Sequence, residues 1–221
     1  MIIVHTTELE YPWGTLRSTN ASKVKVMLEE KGLSYRVERM RPGDLWKKPP
    51  EFLARHPLGK VPYIEDGDRL IYDSTVINEY LEDQYSVPSL MPTAPLDRAA
   101  VRMFENYCDE AILVGDLPGL WMPYWSPPEK RDLERMEKSR AGLRNRALPF
   151  IERSIAEKAY LCGEFTLADI GYMCLAMVLE VDAFDLGAYP RTASYLERLR
   201  ARPSYLAISP ATSLVESAGR P

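Results

Sequence analysis

Two pairs of residues in the first third of the chain could hold a ligand through backbone groups and a helix start. Val61-Pro62 begins a short apolar run, where a proline cannot donate a hydrogen bond to a sheet. A cis bond would turn the N–H and C=O of Val61 outward, whereas a trans bond would make Pro62 an ordinary edge proline. Asp73 and Ser74 open the next helical pattern as natural N-caps, and a helix start also attracts anions. The segment therefore predicts either a ligand-binding edge or simple capping, and the order of its parts favours the edge.

The elements that would position these residues form a mixed α/β domain. Apolar alternation, the Asp66-Gly67 turn signal and helical spacing predict four strands and three helices. Strands are expected at Met1–His5, Ser34–Arg39, Val61–Ile64 and Arg69–Tyr72, and helices at 18–32, Glu51–Arg55 and Ser74–Tyr85. The polar, proline-broken stretch Thr6–Arg17 is interpreted as a loop. The order βαβαββα is the thioredoxin-like plan without its C-x-x-C pair, with the first two strands parallel.

The rest of the chain predicts an all-helical domain, so the fold class is α/β plus all-α. Three prolines without periodicity indicate a linker. The expected divisions are a domain at 1–85, a linker at 86–95 and a domain at 96–221. Helices are expected at Leu96–Val114, Glu129–Ala147, Ile170–Val181 and Tyr189–Ala201, with a proline-rich aromatic segment at Pro118–Pro128. Pro149 should kink or restart its helix, and Thr166 with Asp169 has the spacing of a capping box.

Composition excludes several classes of function. The 221 residues carry a net charge of −4, which argues against nucleic acid as the main partner. Cys108, Cys162 and Cys174 lie far apart without metal spacing, and neither of the two histidines lies in a supporting motif, so no metal site is expected. The N-terminus lacks a signal-peptide pattern and no apolar run reaches membrane-spanning length. We therefore expect a cytoplasmic protein without a membrane partner.

Taken together, these segments resemble the soluble glutathione transferases, and specifically a bacterial-like, serine-type member. The matching segments are Ser18–Val24, Pro57–Pro62, Asp73-Ser74 and Thr166–Ile170, in an order and spacing that cover most of the chain. The resemblance implies a thioredoxin-like domain that binds glutathione, a helical domain, and an electrophile site between them. It also implies a cis Val61–Pro62 bond and a homodimer.

The resemblance further assigns roles to individual residues. Ser18 occupies the family's serine position, where a hydroxyl keeps the glutathione thiol ionised, and it could cap its helix at the same time. Val61 would bind the cysteinyl part as an added strand. The expected glutathione-binding residues are Asn20, Lys47, Lys60, Val61, Pro62, Asp73 and Ser74. Lys60 is favoured over Lys47 for the glycine carboxylate, since solvent exposure is the favoured interpretation of Lys47. Aspartate at position 73 replaces the commoner glutamate, which shortens its reach.

Two further assignments leave alternatives open. The stretch before Ser18 is longer than is usual in the family, which makes Tyr11 an alternative thiolate donor. Aromatic residues could wall an apolar pocket for a hydrophobic electrophile, or they could be ordinary core packing. The pocket candidates are Tyr11, Trp13, Trp121, Tyr124 and Trp125. The expected activity is thiolate attack on such an electrophile; the alternatives are another glutathione-dependent reaction (ether cleavage, isomerisation or dehalogenation) and a non-catalytic scaffold.

Overall fold

The computed structural model describes residues 1–40 and 49–210, and its first part is a four-stranded mixed sheet. The strands of this sheet are β1 (Ile2–Thr6), β4 (Tyr35–Arg39), β5 (Tyr63–Asp66) and β6 (Arg69–Tyr72), while β2 (Glu8–Tyr11) and β3 (Gly14–Arg17) pair separately as a two-stranded hairpin. The sheet order is β4-β1-β5-β6; β1 runs parallel to β4, and β5 runs antiparallel to both β1 and β6. The predicted thioredoxin-like sheet is confirmed.

Helices cover the sheet and form nearly all of the second half. They are α1 (Thr19–Glu30), α2 (Pro50–Arg55), α3 (Ser74–Gln84), α4 (Pro95–Tyr107), α5 (Leu117–Trp121), α6 (Leu133–Gly142), α7 (Leu148–Ile155), α8 (Leu167–Val181) and α9 (Pro190–Arg200). Short π-helical segments at Cys108–Asp116 and Leu143–Ala147 continue α4 and α6, and 3₁₀ turns occupy Met122–Trp125, Pro128–Lys130 and Pro203–Ala207. Within the described ranges, no helix has the length and apolar character needed to cross a membrane.

Helix α1 joins the two parts of the molecule. Its apolar residues Val24, Met27 and Leu28 are fully buried, and the helix packs against α3 on one side and α8 on the other. Helix α8 is apolar around its whole circumference, as expected for a central core helix. Its start has the predicted capping box, in which Asp169 accepts a 2.9 Å bond from the Thr166 N–H. One continuous core therefore fixes α1, and with it the residues at its N-terminus.

The prediction of a loop at Thr6–Arg17 is wrong. This stretch contains the antiparallel hairpin of β2 and β3. Tyr11 pairs with Gly14 across a turn formed by Pro12 and Trp13. A proline at the second and a glycine at the fourth position of a four-residue turn is a type I signature. The flanking alternation of apolar residues is weak, so the sequence indicates a proline-broken loop here rather than two paired strands. The hairpin leads the chain directly into α1.

Prolines account for the other differences from expectation. The β5 strand starts at Tyr63 rather than at Val61, because Pro62 follows a cis bond and has no N–H for a ladder. The helix expected to end at Val114 continues through the π segment into α5, with Pro118 just after the junction, where the Leu117 N–H donates to the Ile112 carbonyl. Helix α6 starts at Leu133 rather than at Glu129. The helix restart expected at Pro149 coincides with the start of α7. The division of the chain into two domains by a linker at residues 86–95 stays a prediction.

Candidate active site

Three chain segments meet beyond one end of the central sheet. The β1–β5 pairing ends with His5 opposite Tyr63, and Thr7 and Val61 each lie two residues beyond this last pair in the chain. The hairpin brings Ser18 to the same place, because the Ser18 N–H donates a 3.1 Å hydrogen bond to the Thr7 carbonyl. Thr7, Ser18 and Val61 all line one cleft of about 440 Å³. The sheet register therefore assembles this end of the cleft.

Ser18 is the N-cap of α1. Its backbone is extended, with φ −64° and ψ 120°, and its Oγ accepts a 3.3 Å hydrogen bond from the Ala21 N–H. Capping uses the oxygen as an acceptor, so the hydroxyl hydrogen remains free to be donated. The N-terminus of a helix also carries a partial positive charge. Ser18 thus offers a donor at a point where negative charge is favoured.

Val61 and Pro62 follow the geometry that the resemblance implied, since the bond between them is cis. Val61 is half-buried and lies outside β5, and it contributes to the wall of the cleft. A residue at a strand end beside a cleft can present its backbone groups to an extended peptide. Lys60, next to it, is exposed, and Asn20 is half-buried in the first turn of α1; neither is among the residues that line the cleft.

Asp73 and Ser74 follow β6 directly in the chain, and Pro62 directly precedes β5. Tyr63 pairs with Tyr72 across β5 and β6, so Pro62 and Asp73 each adjoin this last pair, but neither Asp73 nor Ser74 is among the residues that line the cleft. Asp73 is the N-cap of α3, and its Oδ1 accepts from the N–H groups of Thr75 at 3.0 Å and Val76 at 3.2 Å. Its φ of +72° is a left-handed value, rare for a residue other than glycine. Such strain is common at functional sites.

A buried lysine links α1 to the start of α3 and to the π segment that continues α4. Lys23 Nζ donates to Thr75 Oγ1 at 2.9 Å and to Asp109 Oδ1 at 2.7 Å. Burial alone would lower the pKa of Lys23, but the carboxylates of Asp109 and Glu105 outweigh it and raise that pKa. Lys23 is therefore a permanent cation that fixes the two helix starts relative to each other.

The remaining walls of the cleft are apolar and come from the helical domain. The full set of lining residues is Thr7, Arg17, Ser18, Thr19, Val61, Leu113, Leu117, Pro118, Trp121, Met122 and Trp125. Trp121 Nε1 donates a 2.8 Å hydrogen bond to the Arg17 carbonyl, which ties this wall to the segment before Ser18. A cleft with polar groups at one end and indole, leucine and methionine side chains at the other suits an amphipathic ligand.

The aromatic residues expected at the pocket divide into two groups. Trp121 and Trp125 line the cleft, whereas Tyr11, Trp13 and Tyr124 lie outside its lining. Tyr11 stacks on Trp13 at the tip of the hairpin, and Trp13 Nε1 donates to the Tyr124 carbonyl at 3.0 Å. This placement favours Ser18 over Tyr11 as the hydroxyl nearest a bound thiol. Lys47 lies outside the described residues.

Sequence reasoning missed Thr7 and Arg17 as cleft residues. The Thr7 hydroxyl is buried and has no hydrogen-bond partner within residues 1–40 and 49–210. Arg17 is 5% exposed, and its Nε donates to Glu8 Oε1 at 2.6 Å. The signal that could have found Arg17 is the Pro12 to Gly14 turn pattern, because a hairpin there ends at residue 17, directly before Ser18.

Comparisons with family models, curated proteins and solved structures all point to one protein family. Residues 17–84 match the glutathione S-transferase N-terminal domain and residues 116–203 match its C-terminal domain. Glutathione S-transferase 1 of Manduca sexta is 33% identical over 155 residues, which are 67% of each chain. Maleylacetoacetate isomerase of Pseudomonas aeruginosa is 29% identical over 208 residues, 88% of this chain and 93% of its own. A crystal structure of a glutathione S-transferase from Rhodospirillum rubrum has a TM-score of 0.75 at 25% identity, and the alignment covers 93% of this chain and 90% of that one.

Both matched domains occur in the order that the fold displays, with the cleft between them. The curated relatives also extend across most of the chain rather than over one motif. The chain therefore belongs to the glutathione S-transferase family, whose enzymes use glutathione as their co-substrate.

Proposed function

We propose that this protein is a serine-type glutathione transferase that binds glutathione at the sheet end of the cleft and transfers it to a hydrophobic electrophile. The observation that carries the proposal is that Ser18, at the positive end of α1, lines the same cleft as Val61. The reacting sulfur then lies between a hydroxyl donor and the apolar wall.

The chemistry requires the thiol to lose its proton before it attacks. A free thiol has a pKa of about 8.5, so only a few per cent is ionised near neutral pH. A charge-assisted hydrogen bond contributes about 1.5–3 kcal/mol, and each pKa unit corresponds to about 1.4 kcal/mol. The Ser18 hydroxyl, with the start of α1, can therefore lower the thiol pKa by about one to two units, which makes the thiolate a major species.

The rest of glutathione would follow the sheet edge. Val61 N–H and C=O would pair with the cysteinyl residue, and Ser74 with the first N–H groups of α3 would bind the γ-glutamyl carboxylate. The carboxylate of Asp73 would take the amine, through the oxygen that does not cap the helix. The glycine carboxylate would pair with Lys60 or Lys47, and Asn20 would supply a further donor in the first turn of α1.

The second substrate is proposed to be an apolar or aromatic electrophile. Leu113, Leu117, Trp121 and Trp125 face the cleft opposite Ser18, and burying such a substrate against them excludes water from the thiolate. Isomerisation is a second candidate reaction at the same site, favoured by the similarity to maleylacetoacetate isomerase across 88% of this chain. It would use the same thiolate, which adds to the substrate and leaves again after rotation about the former double bond.

We further propose a cytoplasmic homodimer. Its interface would include the exposed apolar side chains of neighbouring helices α3 and α4, among them Val76 and Met103. These helices are joined within one chain by the Arg102–Glu79 pair, at 2.7 Å. Light scattering at micromolar concentration measures the assembly directly, and Val76→Glu with Met103→Glu should yield the monomer.

Titration of the bound thiol tests the assignment of Ser18. We expect Ser18→Ala to raise the pKa of bound glutathione by about one to two units and to reduce turnover of an aryl halide at neutral pH. Tyr11→Phe, which removes the alternative hydroxyl, should leave the pKa unchanged. The measurement is the ultraviolet absorbance of the thiolate against pH. A shift in the tyrosine variant alone would transfer the role to Tyr11, and no binding of glutathione by the wild type would defeat the proposal.

A further inference from the structure

The cleft wall includes a short segment, Met122–Trp125, that has little regular hydrogen bonding of its own. It is a four-residue 3₁₀ turn, a conformation whose hydrogen-bond geometry is poorer than that of an α-helix. Met122 and Trp125 both line the cleft. The indole nitrogen of Trp125 has no hydrogen-bond partner among the described residues, so no polar contact of its own fixes this side chain. The place of Trp125 in the wall therefore depends on the residues beside it.

Tyr124, the residue before Trp125, ties this wall segment to the end of α8. Its hydroxyl donates a 2.8 Å hydrogen bond to Oδ1 of Asp182, the residue directly after α8. The Asp182 side chain is only 1% exposed, and Arg140 holds it by donating from Nη2 at 2.6 Å and from Nε at 2.9 Å. The tyrosine hydroxyl is thus bound to a carboxylate that is itself buried and paired. Hydrogen bonds to an ionised acceptor are stronger than those between neutral groups.

A second anchor on Tyr124 comes from the β2–β3 hairpin. Trp13, in the turn of that hairpin, donates from Nε1 to the Tyr124 carbonyl at 3.0 Å. Tyr11 stacks on Trp13 with 4.9 Å between the ring centres, which restricts the indole. The hairpin ends at Arg17, directly before Ser18. The hairpin that leads the chain to Ser18 therefore also holds the wall segment.

From these contacts we infer that Tyr124 and Trp13 are positioning residues for the electrophile, which hold Met122 and Trp125 at a fixed distance from Ser18. The inference rests on the proposed function, because it concerns the substrate that meets the thiolate of bound glutathione. Tyr124 and Trp13 lie outside the cleft lining, so they act through the wall segment rather than by touching the substrate. A fixed wall keeps contact with an apolar group on the sulfur and removes its surface from water. A wall that can move away loses part of that contact.

Glutathione conjugates with different alkyl groups test this first with the unmodified protein. S-methylglutathione and S-hexylglutathione share the whole peptide and differ only in the length of the alkyl chain on sulfur. We expect calorimetry at neutral pH to show that the hexyl conjugate binds about tenfold more tightly or better, because its chain is buried against the wall. Equal binding of the two conjugates would overturn the inference while leaving glutathione binding intact. Failure of the wild type to bind either conjugate would instead defeat the proposed function.

Two variants assign the preference for the hexyl conjugate to the two anchors. Tyr124→Phe removes the hydroxyl and leaves Asp182 paired with Arg140, and Trp13→Phe removes the indole N–H; each keeps an aromatic ring. We expect each variant to lower the preference about three- to tenfold, the effect of losing one hydrogen bond. The affinity for glutathione and the pKa of its bound thiol should stay at their wild-type values, which a general loss of structure would not allow.

Tyr189→Phe is the matched control. The Tyr189 hydroxyl donates to the Arg144 carbonyl at 2.7 Å within the same helical domain, and neither residue belongs to the cleft lining. This variant should keep the wild-type preference. An anchor variant that keeps the preference would remove that residue from the proposal, and a preference kept in both would overturn it. A loss of equal size in Tyr189→Phe would also overturn it, because the effect would then come from general loosening of the helical domain.

Discussion

Ser18 and Asp73 each combine the capping of a helix with a proposed contact to glutathione. In both residues the cap uses one oxygen as an acceptor: Ser18 Oγ for the Ala21 N–H, and Asp73 Oδ1 for the N–H groups of Thr75 and Val76. The hydroxyl hydrogen of Ser18 and the second oxygen of Asp73 remain available. A substitution that removes the side chain therefore disturbs stability and binding together, and only a matched pair of variants separates the two.

Asp73 offers such a pair. We expect Asp73→Asn to retain stability within about 0.5 kcal/mol, because asparagine also caps helices and tolerates positive φ. The same variant should bind glutathione about tenfold more weakly, since its amide cannot pair with the ligand's amine as a charged group. Asp73→Ala should lose about 1–2 kcal/mol, because it removes the cap and also the short polar side chain that makes φ +72° tolerable.

Urea denaturation and calorimetric binding of glutathione measure the two effects. The Ala variant serves as the structural control. If the Asn variant bound glutathione like the wild type, Asp73 would be a capping residue without a role in the ligand site.

At the scale of elements, sequence reasoning succeeded where one local interaction determines the structure. The Asp66-Gly67 hairpin, the Ser18 cap and the Thr166–Asp169 capping box all occur as expected. It failed at the β2–β3 hairpin, whose strands have one partner each and only weak alternation. It also could not identify Thr7 as a cleft residue, because that depends on the register between β1 and β5. Pairing between distant strands is a property that no short window of sequence contains.

The contact between α1, α3 and α4 contains a carboxyl group with an unusual environment. Glu105 is buried on α4, and its Oε1 has no hydrogen-bond partner within the described residues. Burial raises its pKa to about 7, and Asp109 and Glu79 add to this, whereas Lys23 and Arg102 oppose it. The folded protein therefore holds a proton on Glu105 that the unfolded chain releases above its ordinary pKa of 4.5.

This difference predicts a dependence of stability on pH. Between pH 4.5 and about 7 the unfolded state binds fewer protons than the folded state at this position, so the free energy of unfolding should fall as pH rises through that window. Over this window Glu105 should lower the free energy of unfolding by roughly 3 kcal/mol. Glu105→Gln should remove most of this dependence, because glutamine stays neutral at every pH. Urea denaturation at a series of pH values measures it, with exposed Glu134→Gln as the control; equal slopes in all three proteins would contradict the assignment.

At the scale of the whole molecule, the cleft exists only because the two domains are fixed against each other. Trp121 reaches from the helical domain to the Arg17 carbonyl, and the Leu167 N–H donates to the Leu90 carbonyl at 3.0 Å. A third link lies at the far end of α1, where Arg202 forms a two-pronged ion pair with Glu30, both bonds 2.7 Å. The Arg202 guanidinium also lies 3.7 Å from the centre of the Phe165 ring. These links predict that the domains unfold together.

Breaking the Arg202–Glu30 pair tests that cooperativity. We expect Arg202→Met to lower the free energy of unfolding by about 2–4 kcal/mol, because it leaves the largely buried Glu30 carboxylate without its charged partner and with only the Ser204 hydroxyl as a donor. Arg191→Met is the matched control, since the Arg191–Glu157 pair is exposed and 3.9 Å long, and its loss should change stability by less than about 1 kcal/mol. Urea transitions followed by tryptophan fluorescence and by far-ultraviolet circular dichroism should coincide in the wild type and in both variants. Transitions that separate in the wild type would mean that each domain is stable alone, so the cleft would be a contact between two independent units rather than part of one core.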